Sequence, residues 1–510
     1  MIESCAITVA SVLIFSTWSR YLESPTATAV ETTNFPVWKV PFPAVTICDP
    51  NQVVLSKAKR LVQRMSEGNK AVENELMEAF PHFREILKHN FVPFSNVSLL
   101  QNAITKNGVG LTELMRDLAP SCSDIMVQCQ WKGVEVDCSK LFTRSLSDNG
   151  FCCSFNYAEP CFGRNCTSNR AKPSSLTPLY TASVGNKFGL RVTLRFDLKE
   201  RFVPLVSTEA MRVMLHNWYN YPNQWSAADQ LISQGQYTFI RVAAETTSST
   251  MPVKKLPLQK SGCIFEEEDE DASTIKESGE MNGQSTYSRD NCLVDCRRIN
   301  VMDYCHCQPY YYPSRDNVRL CDFRDLSCIF KHKVLLSRLR PNLKDLENSG
   351  NHLWDGQEGM DCDCSPQCNE ISYRYETTSG NLRNSVSNPY HPENHSIIYV
   401  FFGKMIGTRY RRDLLMSWET LLSNAGGLFG LFMGFSLLSV VEFVYFFTVR
   451  LYFELRGRRN KKSLKKWSAK VRPRHWKIAS ARNVKLKLPV KDDFGRYQFD
   501  GRHRPPRFVY

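Results

Sequence analysis

The residues with the clearest chemical potential lie in one apolar segment near the end of the chain, residues 425–449. This segment carries closely spaced glycines, then a serine and a carboxylate: Gly426, Gly427, Gly430, Gly434, Ser436 and Glu442. Glycines allow a helix to break, and carbonyl groups freed at membrane depth can replace part of the hydration shell of a cation. The same spacing suits close packing of two helices, so the residues alone leave both interpretations open. Because Glu442 would cost about 2–3 kcal/mol in contact with lipid, we expect it to face a polar cavity.

Cysteines are the second group that could do chemistry, either as zinc ligands or as disulfides. Ten of the 19 lie between Cys263 and Cys368, including the pairs Cys305-His-Cys307 and Cys362-Asp-Cys364. Such pairs can bind zinc. Apart from Cys5, however, every cysteine lies between residues 48 and 368, and three glycosylation sequons lie in the same middle region, at Asn96, Asn165 and Asn394. Together they favour disulfides in an oxidising, extracellular or luminal compartment.

The sequence shows no signature of an enzyme. Gly-x-Ser-x-Gly, His-Glu-x-x-His and phosphate-binding motifs are absent, and the ten histidines form no ligand cluster. We therefore expect no catalytic residue, no bound metal and no cofactor. The formal net charge of +14 comes from the segment after Val449, which has 20 Lys+Arg against 4 Asp+Glu, whereas the remainder has 45 against 47. A nearly neutral body argues against binding of nucleic acid.

Two apolar runs would hold the body at a membrane. The run Ala425–Val449 is 25 residues long with one charge, and a bilayer core needs about 20 helical residues. Basic residues follow from Arg450, which predicts a cytoplasmic tail. The segment Lys461–Lys470 is a candidate for contact with anionic lipid, but a simple topology anchor is the favoured interpretation. The first run, Ile2–Trp18, fits either a first transmembrane helix or a signal peptide. Its lack of a charged start and the aromatic residues Trp18 and Tyr21 favour the helix.

The middle of the chain mixes strand and helix patterns. Strands are predicted at Pro41–Cys48, Gly189–Leu198 and Tyr237–Ala243, and a helical stretch at Val53–Lys88. In Gly189–Leu198 the alternating residues that should face the core are Leu190, Val192, Leu194, Phe196 and Leu198. The acidic run Glu266–Asp271 is interpreted as a solvated loop.

These patterns predict an α+β membrane protein with both termini in the cytoplasm and its middle region in the extracellular space or a lumen. Two transmembrane helices, residues 1–19 and 423–449, would flank a large disulfide-rich extracellular domain, residues 20–422. Residues 450–510 would form the basic tail. Within the domain, residues of about 290–368 would form a separate cross-linked lobe.

Two segments carry a family resemblance. Phe42-Pro-Ala-Val-Thr-Ile-Cys48 and Leu421-Leu-Ser-Asn-Ala-Gly-Gly-Leu-Phe-Gly-Leu-Phe-Met-Gly-Phe-Ser436, continued by Leu437-Leu-Ser-Val-Val-Glu442, resemble the epithelial sodium channel/degenerin family. The continuation Phe443-Val-Tyr-Phe-Phe-Thr-Val-Arg450 is most similar to the insect pickpocket branch. The resemblance implies a homo- or heterotrimer of related subunits with a hand-like ectodomain of palm, finger, thumb, knuckle and β-ball. It also implies amiloride-sensitive conduction of Na⁺, gated by an extracellular stimulus in a sensory or epithelial setting.

The resemblance also implies roles for individual residues. The selectivity filter would be Gly434, Phe435 and Ser436, the degenerin gate position Gly427, and the acidic pore residue Glu442. The implied disulfides are Cys48–Cys152, Cys129–Cys138, Cys263–Cys368, Cys292–Cys364, Cys296–Cys362, Cys305–Cys328 and Cys307–Cys321. The resemblance leaves four cysteines without an assigned partner: Cys122, Cys153, Cys161 and Cys166.

One motif of the family is missing, because no His-Gly precedes Ile2. A truncated chain and a different gating mechanism both fit this departure. Two alternatives to a conducting subunit therefore stay open. One is a non-conducting, modulatory subunit of a heteromeric channel, and the other is a single-pass cysteine-rich receptor whose first run is a cleaved signal.

Overall fold

The computed structural model describes residues 2–23, 25–160, 177–225, 227–265, 287–313, 318–340, 359–383, 394–434, 436–453 and 456. They form two compact units. One is Ser11–Asn424, and the other takes in the described residues of Met1–Ala10 and Ala425–Tyr510. The acidic run Glu266–Asp271 and the tail from residue 457 lie outside the described residues.

Thirteen strands lie within the described residues and form two sheets. In chain order they are β1 (Thr26–Pro36), β2 (Ala44–Cys48), β3 (Met126–Trp131), β4 (Val134–Val136), β5 (Phe142–Ser147), β6 (Gly150–Phe155), β7 (Leu190–Arg195), β8 (Ala210–His216), β9 (Ala228–Ser233), β10 (Gln236–Ser249), β11 (Glu370–Asn381), β12 (His395–Phe402) and β13 (Ile406–Leu414). The larger sheet has the order β1-β13-β10-β12-β7-β3-β4, with β11 also paired to β10. The smaller sheet has the order β5-β6-β2-β8-β9.

The long strand β10 organises the larger sheet. One edge pairs first with β12, over Tyr237–Val242, and then with β13, over Glu245–Ser249, both in parallel. Its other edge pairs antiparallel with β11 along twelve residues. A single strand therefore joins the two halves of this sheet.

The strand β2 lies in the middle of the smaller sheet and is fully buried. Its continuous apolar and β-branched run suits a strand covered on both faces. The apolar core contains residues of both sheets, and Phe42 packs edge-on against Trp131 at 4.9 Å and Phe402 at 5.3 Å. Burial of these rings and of the strand residues around them is the main stabilising term for this part of the molecule.

Helices form two further clusters in the Ser11–Asn424 unit. The described helices are α1 (Ile2–Glu23), α2 (Leu55–Met65), α3 (Lys70–Ala79), α4 (Phe83–Lys88), α5 (Ser98–Lys106), α6 (Leu111–Leu118), α7 (Cys122–Ile125), α8 (Cys138–Leu141), α9 (Met251–Lys254), α10 (Leu258–Ser261), α11 (Arg289–Cys305), α12 (Leu326–Lys331), α13 (Lys333–Ser337), α14 (Trp418–Met433) and α15 (Leu437–Val444). Helices α2 to α6 share one apolar core, and α11 to α13 enclose a smaller one rich in cysteine.

The body differs from the sequence predictions in two places. The helical stretch Val53–Lys88 is divided into α2, α3 and α4, because the Glu67–Gly68 turn adopts positive φ and Pro81 starts a new turn. The predicted strand Gly189–Leu198 ends at Arg195. Leu190, Val192, Leu194 and Phe196 are buried as predicted, but Leu198 lies in a 3₁₀ turn and is 40% exposed.

Across the part of the chain that the structure describes, we find no helix with both the length and the apolar character needed to cross a bilayer.

Candidate functional site

The helix of the glycine-rich segment breaks at Gly434. Helix α14 ends at Met433, and Gly434 adopts φ +63°, a left-handed conformation that favours glycine. Its N–H donates to the carbonyl oxygen of Gly430 at 3.0 Å. The last carbonyl groups of α14 therefore have no helical N–H to bind, and they carry the negative end of the helix dipole. Such groups can coordinate a cation.

A new helix begins directly after the break. Ser436 is extended and forms the N-cap of α15, with its hydroxyl group accepting from the N–H of Ser439 at 3.4 Å. The hydroxyl group of Ser439 accepts in return from the N–H of Ser436 at 3.4 Å. This reciprocal cap stabilises the break. Of the predicted filter residues, Gly434 and Ser436 flank the break, while Phe435 lies outside the described residues.

The remaining predicted pore residues are exposed in this single chain. A Cβ atom added at Gly426 or Gly427 would meet no described atom within 4 Å. The glycines therefore make no close packing contact with the described part of their own chain. Glu442 is exposed in α15, two helical turns after Ser436, and no described cation pairs with it. A π-helix, Tyr445–Arg450, follows it.

The structure contains the disulfides that the family resemblance implies, five of them in the cysteine-rich lobe and its base. All seven pairs are present, from Cys48–Cys152 to Cys307–Cys321. Cys292 and Cys296 lie one turn apart on α11 and bond to Cys364 and Cys362. Two sulfur atoms and an imidazole group do come close at Cys305, Cys328 and His332, but both cysteines of this group are oxidised. A disulfide has no thiolate to give zinc, so the zinc interpretation is wrong for this group.

An eighth disulfide, Cys122–Cys153, was not predicted. Cys152 and Cys153 are neighbours on β6, so their side chains lie on opposite faces of the sheet. Cys152 bonds to Cys48 on β2, and Cys153 bonds to Cys122 at the start of α7. Because side chains alternate between the two faces of a strand, the sequence could have indicated that Cys152 and Cys153 bond to cysteines on opposite faces. Cys161, Cys166 and Asn165 lie outside the described residues.

The segment between β8 and β9 connects the sheets to the cysteine-rich lobe. The side-chain oxygen of Asn291 accepts from the N–H of Tyr221 at 2.8 Å, and its amide group donates to the carbonyl oxygen of Tyr219 at 2.9 Å. The hydroxyl group of Tyr221 donates to the carbonyl oxygen of Tyr311 at 2.8 Å. The amide group of Asn217 donates to Ile371 on β11 at 2.7 Å. Sequence reasoning missed this network, since its partners are 70 to 154 residues apart.

Buried titratable groups accompany these contacts. Burial lowers the pKa of His216 to about 4, and burial with nearby Lys333 and Arg297 lowers the pKa of His89 to about 4. Burial raises the pKa of Asp148 to about 6, although the N–H of Gln224 donates to its carboxylate at 2.8 Å. Both histidines are therefore neutral at physiological pH.

A chain that has both a broken, glycine-rich apolar helix and a disulfide-linked α+β body has the features expected of a membrane channel subunit. The comparison with known proteins gives the family. The sequence model described as "Amiloride-sensitive sodium channel" matches residues 2–446, and the chain belongs to this family. The predicted resemblance is thereby confirmed. Proteins of this family are plasma-membrane cation channels with a disulfide-rich extracellular domain that assemble as oligomers of related subunits, and they are not enzymes.

Curated relatives agree with this assignment. Sodium channel protein Nach of Drosophila melanogaster is 28% identical over 462 residues, which cover 88% of this chain and 80% of the relative. Pickpocket protein 28 of the same species is 24% identical over 81% of this chain and 67% of its own length. Acid-sensing ion channel 4 of Mus musculus is 23% identical over 65% of this chain and 56% of its own length.

Proposed function

We propose that this chain is a pore-forming subunit of a trimeric, sodium-selective and amiloride-sensitive channel that opens on an extracellular stimulus. The observation that carries the proposal is the break at Gly434–Ser436, where carbonyl groups at the end of α14 lack helical partners. Na⁺ is the permeant ion in this proposal, and Gly434, Phe435 and Ser436 select it. Gly427 is the gate position, and Glu442 attracts cations below the filter.

The proposed topology has two membrane spans and both termini in the cytoplasm. The helix α1 forms the first span in the plasma membrane, and α14, α15 and the following π-helix form the second. The disulfide-linked body is then extracellular, which is the compartment in which its cysteines would oxidise. The basic tail contacts anionic lipid on the inner face.

The first test is expression of the full chain in oocytes, alone and with related subunits. Amiloride-sensitive Na⁺ current is the expected result. A chain that reaches the surface but carries no current in any combination would favour a modulatory subunit instead. For a homotrimer, a fluorescent fusion is expected to photobleach in three steps. N-terminal sequencing of the mature protein should still find residues before Tyr21, because a first membrane span is not cleaved.

Two substitutions test the residue assignments. Ser436→Phe is expected to change the Na⁺ over K⁺ permeability ratio, because a bulky ring would alter the narrow break. Gly427→Cys should give a current that thiol reagents modify. The matched control is Ala425→Cys, since residues two apart point to nearly opposite sides of a helix. Equal modification at both positions would contradict the gate assignment.

A further inference from the structure

The strands β1 and β13 connect the body to the two helices that the proposed function places at the start of the membrane spans. The strand β1 follows α1, and β13 precedes α14. The two strands pair antiparallel, and just beyond their ladder the N–H of Leu415 donates to the carbonyl oxygen of Pro25 at 2.9 Å. A change in how β1 pairs with β13 would therefore be passed to the segments that lead into both helices.

The position of β1 is less firmly determined than that of β13. The strand β13 also pairs with β10, and a Cβ atom added at Gly407 would clash with the carbonyl oxygen of Ala244, so β13 lies tightly against β10. Among the described strands, β1 is at the edge of its sheet and pairs with β13 alone. No residue of β1 is buried. A strand without a buried face has a weakly specified register.

The ladder between β1 and β13 is interrupted at Glu31. Val30 pairs with Tyr410 and Thr32 pairs with Arg409, so Glu31 is an extra residue in β1, as in a β-bulge. The part of β1 after the bulge leads into the apolar core, whereas the part before it leads back to α1. Loss of the bulge would shift this first part along β13 by one residue, or about 3.4 Å.

The side chain of Arg409 joins the elements around the bulge. Its Nε lies 3.0 Å from Oε2 of Glu31 and donates to the hydroxyl oxygen of Ser248 on β10 at 3.1 Å. Its guanidinium group lies over the ring of Phe35, 5.1 Å from the ring centroid. A one-residue shift of β1 would turn Glu31 to the other face of the strand, away from Arg409. The contact with Glu31 therefore favours the bulged register.

We propose that Arg409 is a positioning residue that fixes the register of β1 against β13, and that gating includes a change of this register. Release of Glu31 from Arg409 permits the regular ladder, in which the first part of β1 and the span before it are displaced by about one residue. β13 stays in place on β10. This inference rests on the two-span topology of the proposed function.

Two neighbouring arginines of β13 provide an internal comparison. Arg411 pairs with Asp413 of the same strand at 2.8 Å, so this ion pair does not connect β13 to β1. The Nε of Arg412 lies 3.5 Å from the hydroxyl oxygen of Thr28, which is too long for a strong hydrogen bond. Among the described arginines of β13, Arg409 is thus the one with a short ionic contact to β1.

Cysteine cross-linking in the full chain, purified in detergent, reports the register without any need for current. Arg412→Cys is combined either with Thr28→Cys, which lies opposite it in the bulged register, or with Ala29→Cys, which would lie opposite it after the shift. We expect strong oxidative cross-linking of the Thr28→Cys pair and weak cross-linking of the Ala29→Cys pair. Addition of Arg409→Gln or Glu31→Gln should raise the Ala29→Cys yield by about fivefold.

Arg411→Gln is the matched control and should leave both yields unchanged. In oocytes, Arg409→Gln should change the open probability of the amiloride-sensitive channel at unchanged Na⁺ over K⁺ selectivity. The charge exchange Glu31→Arg with Arg409→Glu should move the cross-linking yield and the open probability back toward the original values. A role of Arg409 in stability alone would lower the unfolding midpoint without a change of register.

Equal Ala29→Cys yields with and without Arg409→Gln would overturn the inference, as would an equal increase with Arg411→Gln. A shifted register at unchanged open probability would overturn the role in gating. If Arg409→Gln does not reach the cell surface, Glu31→Gln tests the same contact from its exposed partner. If no subunit combination carries current, the proposed function fails, while the cross-linking yields still decide whether Arg409 fixes the register.

Discussion

At the scale of single residues, the conformation of Gly434 is the most informative feature of the chain. Its φ of +63° interrupts an apolar helix. In a continuous helix, the carbonyl groups at this point would all accept hydrogen bonds from helical N–H groups. The glycine pattern predicted that a break was possible, but it did not distinguish a break from a packing face. The backbone angle at Gly434 and the cap formed by Ser436 favour the break. The family resemblance, not periodicity, supplied the position.

Substitution of Gly434 should therefore damage conduction without damaging the body. An alanine at φ +63° costs about 1–2 kcal/mol, although its Cβ would meet no described atom within 4 Å. We expect Gly434→Ala to reduce current or selectivity at unchanged surface amount, measured by voltage clamp and surface biotinylation. Gly426→Ala is the control, because Gly426 is helical and equally open. Normal selectivity and current in Gly434→Ala would contradict the proposed role of the break.

A second residue-scale prediction concerns His216. Its Nδ1 faces the carbonyl oxygen of Asn217 at 2.9 Å and so carries the proton, which leaves Nε2 to accept from the hydroxyl group of Thr46 at 2.7 Å. The folded pKa of about 4 lies below the unfolded value of about 6.5, so the unfolded chain binds more protons between these values. The contribution of neutral His216 to the free energy of unfolding is fully present above pH 6.5. It decreases by roughly 3 kcal/mol in total as the pH falls through 4.

Thermal unfolding of the purified chain between pH 7.5 and 4.5 measures this loss. His216→Gln should be less stable at pH 7.5, because it disturbs a buried network, but its midpoint should fall less steeply with pH. His82→Gln, which changes a half-exposed histidine, is the variant against which the slope of His216→Gln is compared. The same slope in His216→Gln and the original chain would exclude His216 as the source. Asp148 acts in the opposite sense, because its raised pKa of about 6 favours folding at lower pH.

At the scale of elements, the sequence predicted the strands that depend on a local run or alternation of residue types. The strand β2 and the inward residues of β7 follow from β-branched runs and alternation, and both are present. The end of β7 was misplaced, because Leu198 continues the alternation while the chain has already turned at Asp197. The double pairing of β10 with β12 and β13 was not predictable, since parallel partners are chosen by contacts about 160 residues away.

The disulfide between Cys122 and Cys153 gives a prediction at this scale. It ties β6 to α7 and closes a loop of 31 residues, which corresponds to about 4 kcal/mol of unfolded-chain entropy. Non-reducing peptide mapping should recover this pair. The double variant Cys122→Ser/Cys153→Ser should unfold at lower temperature than Cys129→Ser/Cys138→Ser, whose loop spans only nine residues. Recovery of Cys153 bonded to Cys161 or Cys166 would contradict the assignment.

At the scale of the whole body, different interactions make the cysteine-rich lobe rigid and connect it to the sheets. Five disulfides hold the described part of the cysteine-rich lobe and its base together. Its connection to the sheets includes hydrogen bonds from the segment between β8 and β9, two between neutral groups and one from Asn220 to the Asp290 carboxylate. A stimulus at the lobe would reach β11 through this segment, because Asn217 bonds to Ile371. The positions of the cysteines predict the disulfide-linked lobe. The hydrogen bonds that connect it to the sheets depend on side-chain geometry and leave no periodic pattern in the sequence.

The connection can be weakened selectively at Asn291. Asn291→Ala removes its hydrogen bonds to the Tyr221 N–H and to the Tyr219 carbonyl oxygen, and loss of each such bond costs about 0.5–1.5 kcal/mol. We expect a lower unfolding midpoint, faster trypsin cleavage of the lobe and a changed open probability with unchanged ion selectivity. Asn300→Ala is the matched control on the same helix, because among the described residues its amide group bonds within α11, to the carbonyl oxygen of Cys296 at 2.9 Å and to the Cys296 sulfur. If both variants gate and unfold alike, the segment between β8 and β9 does not couple the lobe to the sheets. If Asn291→Ala alters selectivity instead, the coupling acts on the filter and not on the gate.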